Sequence, residues 1–353
     1  MSENKQWKST LNEYLKQGEP DQIEKTRTWK VAIGLQDVDG LKTSEYLLNT
    51  AKENIEGKID IDSANLKINR YYEEKEERNE AADEKEADIV SARIAQLLSN
   101  KTFTFSPASL QKIHEHLFKG IIRKAGKLRT CNITKKEWVL NEDTVIYSDY
   151  RDIVSTLNYD FDQEKNFKYT GLDKKDFIEH ISRFTSNIWQ IHPFPEGNTR
   201  TTAVFIIKYL KTFGIDINNT PFEDNSWYFR NALVRANYNN FEKDIYETTE
   251  FLEMFFSNII IKSNYELKNR YLHVDYAQSA KMALWSGTLE EENVLTLIEE
   301  NSKITQKEIS VRTGLSLRTV KRIISKLQAE NVLTRVNGKR YGEWLVEASL
   351  KDR

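Results

Sequence analysis

The chain has 353 residues, enough for two or three domains that each bury a core. Its 52 basic and 54 acidic residues leave a net charge of −2, which excludes a strong overall field attracting nucleic acid or membranes. Cys131 is the single cysteine, which excludes an intramolecular disulfide, and no apolar run reaches the length of a membrane span. Because residues 1–5 do not open a signal peptide, we expect a soluble, cytoplasmic protein.

Apolar residues recur mostly at helical spacing, and the five prolines and thirteen glycines interrupt the pattern rarely, so the fold is predicted to be mainly α. Residues 1–80 predict an N-terminal helical segment, with helices at about 5–17, 22–36, 43–55 and 62–78. Residues 71–88 carry nine acidic and three basic side chains, which indicates a solvated face or linker. A second domain is predicted over residues 81–265.

Two segments of this second domain have strand-like composition. Residues 132–140 and 144–147 flank the turn-forming residues 141–143, and together they predict a β-hairpin.

The nine residues from His192 to Arg200 are the most informative segment, reading His-Pro-Phe-Pro-Glu-Gly-Asn-Thr-Arg. Two prolines end the preceding helix near His192, and the next helix is predicted to begin around residues 197–199. The free backbone N–H groups of that helix start form a site suited to phosphate. Phe194 is expected to point into the core and fix the loop.

The side chains of this loop suit nucleotidyl transfer. His192 is suited to act as general base near neutral pH, and Glu196 offers a hard oxygen ligand for Mg²⁺. Gly197 and Asn198 let the backbone approach a phosphate, which Arg200 can clamp. Each residue alone also has a structural explanation, but the combination at this spacing favours a nucleotide site.

The pattern His-x-Phe-x-(Asp/Glu)-Gly-Asn-x-Arg resembles the signature loop of Fic-domain proteins, most of which transfer AMP from ATP to a protein hydroxyl. The resemblance extends over about residues 83–260. It implies that His192 is the base, that Glu196 holds Mg²⁺, and that the phosphates of ATP are bound by Gly197, Asn198, Thr199 and Arg200.

The resemblance also covers Ala125–Arg129 and Asn132-Ile133, which are similar to the segment leading into the family's target-binding flap. The predicted hairpin is then the flap, which pairs with an extended target segment by β-augmentation. The target contacts are expected at Trp138, Val139 and Leu140. A plain surface hairpin is the alternative.

Two positions depart from the family pattern. Thr199 stands where the family often has glycine, and Ala203 stands where it has a second arginine associated with the γ-phosphate. ATP is therefore expected to be held less rigidly. The intact Gly197-Asn198 pair favours AMP transfer over phosphorylation.

The nucleoside pocket of the family lies near residues 226–256. Tyr228, Asn231 and Tyr238 are the adenosine-binding residues that the resemblance implies, with a place in the core as the alternative.

Residues 34–46 resemble the small antitoxins that partner Fic toxins, in which a glutamate pairs with the second arginine and blocks ATP. Asp39 occupies the matching position by chain order, whereas Glu56 keeps the glutamate. Because Ala203 removes the usual partner, we predict weak or absent inhibition through either carboxylate.

Residues 266–353 resemble a winged helix-turn-helix. From residue 294 to residue 346 there are ten basic and five acidic side chains. The predicted DNA contacts are Arg318, Thr319, Lys321 and Arg322 in the recognition helix, with Lys339 and Arg340 on the wing. The alternative is a module kept for dimerisation or protein contact; paired half-sites would suit a homodimer.

The sequence therefore predicts a Mg²⁺-dependent protein adenylyltransferase that uses ATP and acts on a Ser, Thr or Tyr hydroxyl of a target protein or of itself. One alternative is a DNA-binding regulator whose Fic fold is vestigial or a sensor. Another is a related transfer of UMP, or removal of AMP from a modified protein.

Overall fold

The computed structural model describes residues 6–78, 83–215, 221–276, 289–329, 332–336 and 342–346. The chain divides into two compact units, Met1–Val274 and Asp275–Arg353. The predicted boundary near residue 80 lies inside the first unit. Both units are mainly helical, as predicted, and no helix in the described ranges has the length and apolarity needed to cross a bilayer.

The first unit begins with four helices close to their predicted bounds: α1 Gln6–Gln17, α2 Pro20–Gly34, α3 Glu45–Ile55 and α4 Ile61–Glu77. A short 3-10 turn, Leu35–Asp39, follows α2. The remaining helices of this unit are α5 Lys85–Ser99, α6 Pro107–Phe118, α7 Ile153–Asn166, α8 Lys174–Ile191, α9 Asn198–Thr212, α10 Pro221–Asp224, α11 Ser226–Arg235 and α12 Glu250–Ile260.

Several of these helices begin at a residue whose side-chain oxygen accepts a backbone N–H of the first turn. This cap satisfies a donor that has no partner inside the helix and so fixes where the helix starts. The caps are Ser44 for α3, Asp60 for α4, Ser106 for α6 and Asp173 for α8.

The N-terminal helices pack directly onto the helices that follow the motif loop. A Cβ atom on Gly34 of α2 would lie 2.4 Å from the backbone oxygen of Glu223, so only glycine permits this approach. Lys30 forms a buried ion pair with Glu223 at 2.7 Å, and the Ser226 hydroxyl donates to the Gly34 carbonyl at 2.7 Å. The antitoxin-like segment is therefore an integral part of the first unit.

The acidic stretch around residue 80 is not uniformly solvated, contrary to our prediction. Asp88 is fully buried on α5, where its carboxylate accepts the backbone N–H of Ser44 at 2.8 Å and the Tyr72 hydroxyl at 2.7 Å. Glu86, two residues earlier, contacts Arg200. These carboxylates are turned inward because α5 packs against α2 and α4, and each one meets a donor there.

The predicted flap hairpin is reduced to a single antiparallel bridge between Glu137 and Asp143. A 3-10 turn, Trp138–Leu140, and left-handed backbone at Asn141 (φ 57°) and Glu142 (φ 65°) reverse the chain. An isolated two-stranded hairpin is marginally stable in water, so two short segments gain little from a regular ladder. Contacts from the flap to α8 and α11 hold it instead, as described below.

The second unit has the order predicted for a winged helix-turn-helix. Its elements are α13 Leu289–Glu300, α14 Gln306–Thr313, α15 Leu317–Ala329, β1 Leu333–Val336 and β2 Glu343–Val346. A capping box begins α14, since Thr305 accepts the Glu308 N–H and the Glu308 carboxylate accepts the Thr305 N–H. The strands pair antiparallel, with Leu333 opposite Val346.

Candidate active site

The motif loop joins α8 to α9 as the sequence predicted. Helix α8 ends at Ile191, and His192 takes a left-handed conformation (φ 49°) that turns the chain out of the helix. Gly197 (φ 73°) caps the start of α9. The predicted structure of this loop is confirmed at both helix ends.

His192 lies beneath the flap with its ring orientation fixed. Its Nδ1 atom is 3.3 Å from the Trp189 carbonyl, which can only accept, so Nδ1 carries the proton. Nε2 is buried and has no hydrogen-bond partner among the described residues, and the Tyr147 ring stacks on the imidazole at 4.0 Å. The lone pair of Nε2 is therefore available to accept a proton.

The surroundings of His192 keep it neutral. Burial lowers the pKa of His192 well below its ordinary value, and the positive charge of Lys135 lowers it further. The hydrogen bond to Trp189 opposes these effects, whereas Arg129 and Arg230 reinforce them. A neutral imidazole with an unpaired Nε2 is the form that general-base catalysis requires.

A second histidine, His114, which no sequence motif indicated, holds the backbone of the motif loop in place. His114 on α6 donates from Nε2 to the Glu196 carbonyl at 3.0 Å and accepts the Gly126 N–H on Nδ1 at 2.8 Å. Burial lowers the pKa of His114 to about 4, so the neutral tautomer persists. Its ring stacks on Phe194 at 3.8 Å, and Phe194 is buried as predicted.

Asn198 and Thr199, predicted to bind phosphate, have their side chains engaged in shaping the loop. The Asn198 amide accepts the Phe194 N–H at 3.0 Å and donates to the Phe194 carbonyl at 2.7 Å, which closes the turn. The Thr199 hydroxyl accepts the Trp189 indole N–H at 3.0 Å. Phosphate binding at these two positions stays a prediction, and it rests on their backbone N–H groups at the start of α9.

Arg129 joins both ends of the flap to the motif loop. Its guanidinium, 3% exposed, donates to the carbonyls of His192 (2.8 Å), Ile191 (3.3 Å) and Cys131 (2.9 Å), and also to that of Ser148. One side chain thus joins the end of α8 to both ends of the flap. The sequence indicated Arg129 only as part of the segment that leads into the flap.

Arg200 is held by the N-terminal part of the chain. Its Nη1 donates to the Gln36 side chain at 3.0 Å and its Nη2 to Glu86 at 2.6 Å, while Nε forms an ion pair with Asp39 at 2.8 Å. The guanidinium also lies over the Phe118 ring at 4.8 Å and is 3% exposed. The predicted phosphate clamp therefore already has two carboxylate partners.

Asp39, which chain order matches to the inhibitory position, pairs with Arg200 and not with position 203. The weak or absent inhibition predicted from Ala203 concerns a salt bridge at position 203, and the contact of Asp39 with Arg200 is a different one. Glu56 bonds instead to the Tyr14 hydroxyl and pairs with Lys58 at 2.6 Å. Gln36 and Glu86 carry no motif signal, and only the packing of α2 and α5 brings them to Arg200.

Glu196 fits the predicted role of a magnesium ligand. Its side chain is exposed at the loop, four residues after His192, while its backbone is fixed by His114. Mg²⁺ usually binds through one or two carboxylates together with substrate phosphates, so a single hard oxygen ligand is a sufficient protein contribution.

Residues 104–210, which include this loop, match the family model described as Fic/DOC family, and residues 291–334 match the model for winged helix-turn-helix DNA-binding. The chain contains a Fic/DOC domain. The Fic match begins before α6 and ends within α9, so it includes His114, Arg129 and the whole motif loop.

Two curated proteins are similar to the Fic region. Protein adenylyltransferase VbhT of Bartonella schoenbuchensis is 28% identical over 109 residues, which are 31% of this chain and 22% of VbhT. Probable protein adenylyltransferase y4lH of Sinorhizobium fredii is 25% identical over 154 residues, 44% of this chain and 76% of y4lH. A Fic family protein from Desulfovibrio desulfuricans G20 aligns with 97% of this chain and 93% of its own, at 13% identity and a TM-score of 0.45.

The predicted target-binding residues of the flap differ in exposure. Trp138 is 42% exposed and its ring lies 5.1 Å from that of Trp227, whereas Val139 and Leu140 are buried. The Val139 carbonyl accepts the Val274 N–H at 2.9 Å. Of these three side chains, only Trp138 presents a surface to a target.

The predicted adenosine residues lie on or after α11. Tyr228 is buried and stacks on Phe255, which is a core position. Asn231 donates to the Asn269 side chain at 2.7 Å, and the Tyr238 hydroxyl donates to Asp143 of the flap at 2.7 Å. An adenosine-binding role stays a prediction for all three residues.

In the second unit, α15 presents a basic surface. Arg318, Lys321 and Arg322 are exposed and Thr319 is half-buried, while Val320, Ile323, Ile324 and Leu327 pack into the core. The Ser316 hydroxyl accepts the Thr319 N–H at 3.1 Å and caps the helix. Lys339 and Arg340, predicted on the wing, lie outside the described residues.

Proposed function

We propose that the Fic domain transfers AMP from ATP to a Ser, Thr or Tyr hydroxyl of a protein, with Mg²⁺ as cofactor. The observation that carries this proposal is the state of His192: a neutral ring with Nδ1 protonated and Nε2 buried and unpaired beneath the flap. The names of the two curated relatives support the same chemistry.

In the proposed reaction His192 Nε2 takes the proton of the target hydroxyl. The hydroxyl oxygen forms a bond to the α-phosphorus, and the bond from that phosphorus to the bridging β-phosphate oxygen breaks, releasing pyrophosphate. The start of α9 and Arg200 bind the phosphate oxygens, which makes catalysis mainly a matter of positioning and charge. Glu196 would hold the magnesium, whose charge offsets that of the phosphates.

The contacts of Arg200 support a further step in this proposal: the chain is inhibited by its own N-terminal segment. Asp39 and Glu86 occupy the guanidinium that phosphate needs, so ATP must displace them. The exposed fractions of these two carboxylates, 43% and 36%, are compatible with exchange of partners at the surface of the site.

Labelled ATP tests the reaction. Full-length protein carrying Asp39→Asn is incubated with Mg²⁺ and cell lysate, with ATP labelled at the α-phosphate or at the γ-phosphate. Label that enters protein from the α-phosphate alone, and that is lost in a His192→Ala variant, supports AMP transfer. Label from the γ-phosphate would mean phosphorylation, and label that persists without His192 would contradict its role as base.

We infer a second function, DNA binding, for residues 275–353. The match to a winged helix-turn-helix family and the exposed basic side chains of α15 favour it. Salt-sensitive binding of the full chain to double-stranded DNA tests this inference. An affinity that does not fall with salt concentration would contradict it, because phosphate contacts release counterions and therefore weaken as salt is added.

A further inference from the structure

The turn of α9 that is proposed to bind phosphate carries little positive charge. Ala203 lies one turn after Arg200, is fully buried, and contributes no charge. Arg200 itself is shared between Asp39 and Glu86. A triphosphate carries several negative charges, so a cation of the chain, in addition to magnesium, would favour binding of its terminal phosphates.

Lys135 of the flap lies on the face that points into the first unit. Two residues later, Glu137 is fully buried and forms an ion pair with Arg230 of α11 at 2.8 Å. The Lys135 N–H bonds to the Thr144 hydroxyl at 3.2 Å, and the Glu137 N–H bonds to the Asp143 carbonyl at 2.9 Å. Side chains two residues apart on extended backbone share a face, so Lys135 is turned inward with Glu137.

The charged groups around Lys135 belong to the active site. Arg230, Asp39, Glu137 and Glu196 all act on its ammonium, and Lys135 in turn acts on His192. Burial lowers the pKa of Lys135, and within the described ranges its side chain makes no ion pair and no hydrogen bond. A partly buried ammonium without a direct partner is costly unless an anion binds there.

We propose that Lys135 binds the terminal phosphates of the nucleotide and supplies the charge that is absent at Ala203. This inference rests on the proposed nucleotide chemistry. Asp39 supports it, because the carboxylate that pairs with Arg200 also acts electrostatically on Lys135. In the inhibited state Asp39 thus acts on both groups assigned to phosphate, and ATP would exchange its phosphates for that carboxylate.

Nucleotide affinity tests the proposal. ATP, ADP and AMP are titrated calorimetrically, with Mg²⁺, into full-length protein carrying Asp39→Asn, with and without Lys135→Met. Lys136→Met is the matched control, because Lys136 is exposed and one position along the same segment. Lys135→Met is expected to weaken ATP binding by about 10- to 100-fold, the range for a charge-assisted hydrogen bond, and to leave AMP binding unchanged. Lys135→Arg should restore most of the loss.

The outcomes are distinguishable. Equal weakening of ATP and AMP binding, or equal ATP binding by the Lys135→Met and Lys136→Met variants, would overturn the role of Lys135 and leave the proposed function intact. If the parent protein binds no adenine nucleotide at all, the proposed function fails and this inference fails with it. Thermal unfolding of each variant separates a lost phosphate contact from a misfolded flap.

Discussion

Oδ2 of Asp39 lies 2.8 Å from Nε of Arg200, so the end of the N-terminal 3-10 turn meets the first turn of the helix that follows the catalytic loop. We expect Asp39→Asn to raise ATP affinity and AMP transfer by about 5- to 20-fold, because it removes one of two charged competitors for the guanidinium. Glu86 still competes in this variant, so the double variant Asp39→Asn/Glu86→Gln should have a higher ATP affinity and transfer rate than the single variant. Initial rates of α-label incorporation measure the effect.

Glu56→Gln is the control for that prediction. Glu56 matches the family glutamate in residue type, but its partners are Tyr14 and Lys58, away from Arg200. It should leave the rate of transfer unchanged. A rise in the transfer rate comparable to that of Asp39→Asn would contradict the assignment of inhibition to Asp39.

The pH dependence of the reaction follows from His192. The base must be neutral, and burial lowers the pKa of His192 well below 6.5, so the acid limb of kcat/KM should fall below pH 6.5. Lys135→Met removes a neighbouring positive charge, raises the pKa of His192, and should move that limb to higher pH. The pH dependence of kcat/KM is compared between this variant and Lys136→Met. Coincident profiles would exclude the electrostatic effect of Lys135 on His192.

Gly197 is predicted to tolerate no side chain. A Cβ atom there would lie 2.4 Å from the Phe118 ring, in addition to the strain of a left-handed conformation. Gly197→Ala should lower the free energy of unfolding by about 2–4 kcal/mol and reduce transfer. Gly171→Ala is the matched control, since Gly171 also has a positive φ (88°) but has open space around its Cβ position. The free energies of unfolding of both variants, measured with denaturant, separate the clash with Phe118 from the backbone strain that both positions share.

Arg129→Lys should uncouple the flap from the catalytic loop. A lysine cannot reproduce a fork that donates to four carbonyls, so we expect a loss of about 1–3 kcal/mol in stability and a lower kcat. Arg123→Lys, at an exposed position, should change neither quantity. Equal unfolding transitions for the two variants would contradict the proposed link.

DNA binding by α15 predicts an effect that depends on position. Arg322→Glu should weaken binding and reduce the slope of log affinity against log salt by about one for each phosphate contact that is lost. Lys307→Glu makes the same change in charge at an exposed position on α14, outside the predicted recognition helix, and should have a smaller effect. Electrophoretic mobility shifts at several salt concentrations compare them; equal losses would mean that only net charge matters.

The parts of the fold that local chemistry dictates were predictable. Pro193 and Pro195 end α8, Gly197 permits the left-handed cap of α9, and Thr305 with Glu308 starts α14. Each of these effects acts within one helical turn. The flap was less predictable, because its position depends on Arg230, Tyr238 and Gln190, all distant in sequence.

The sequence by itself determined the identity of the motif loop, the helical class and the order of the two units, because these follow from local patterns of proline, glycine and apolar spacing. Only the tertiary structure decided which charges meet. Asp39, Glu86 and Arg200 are separated by up to 161 positions in the chain, and no spacing rule connects them. Their contact arises from helix packing, which sets the partner and hence the electrostatics of each charge.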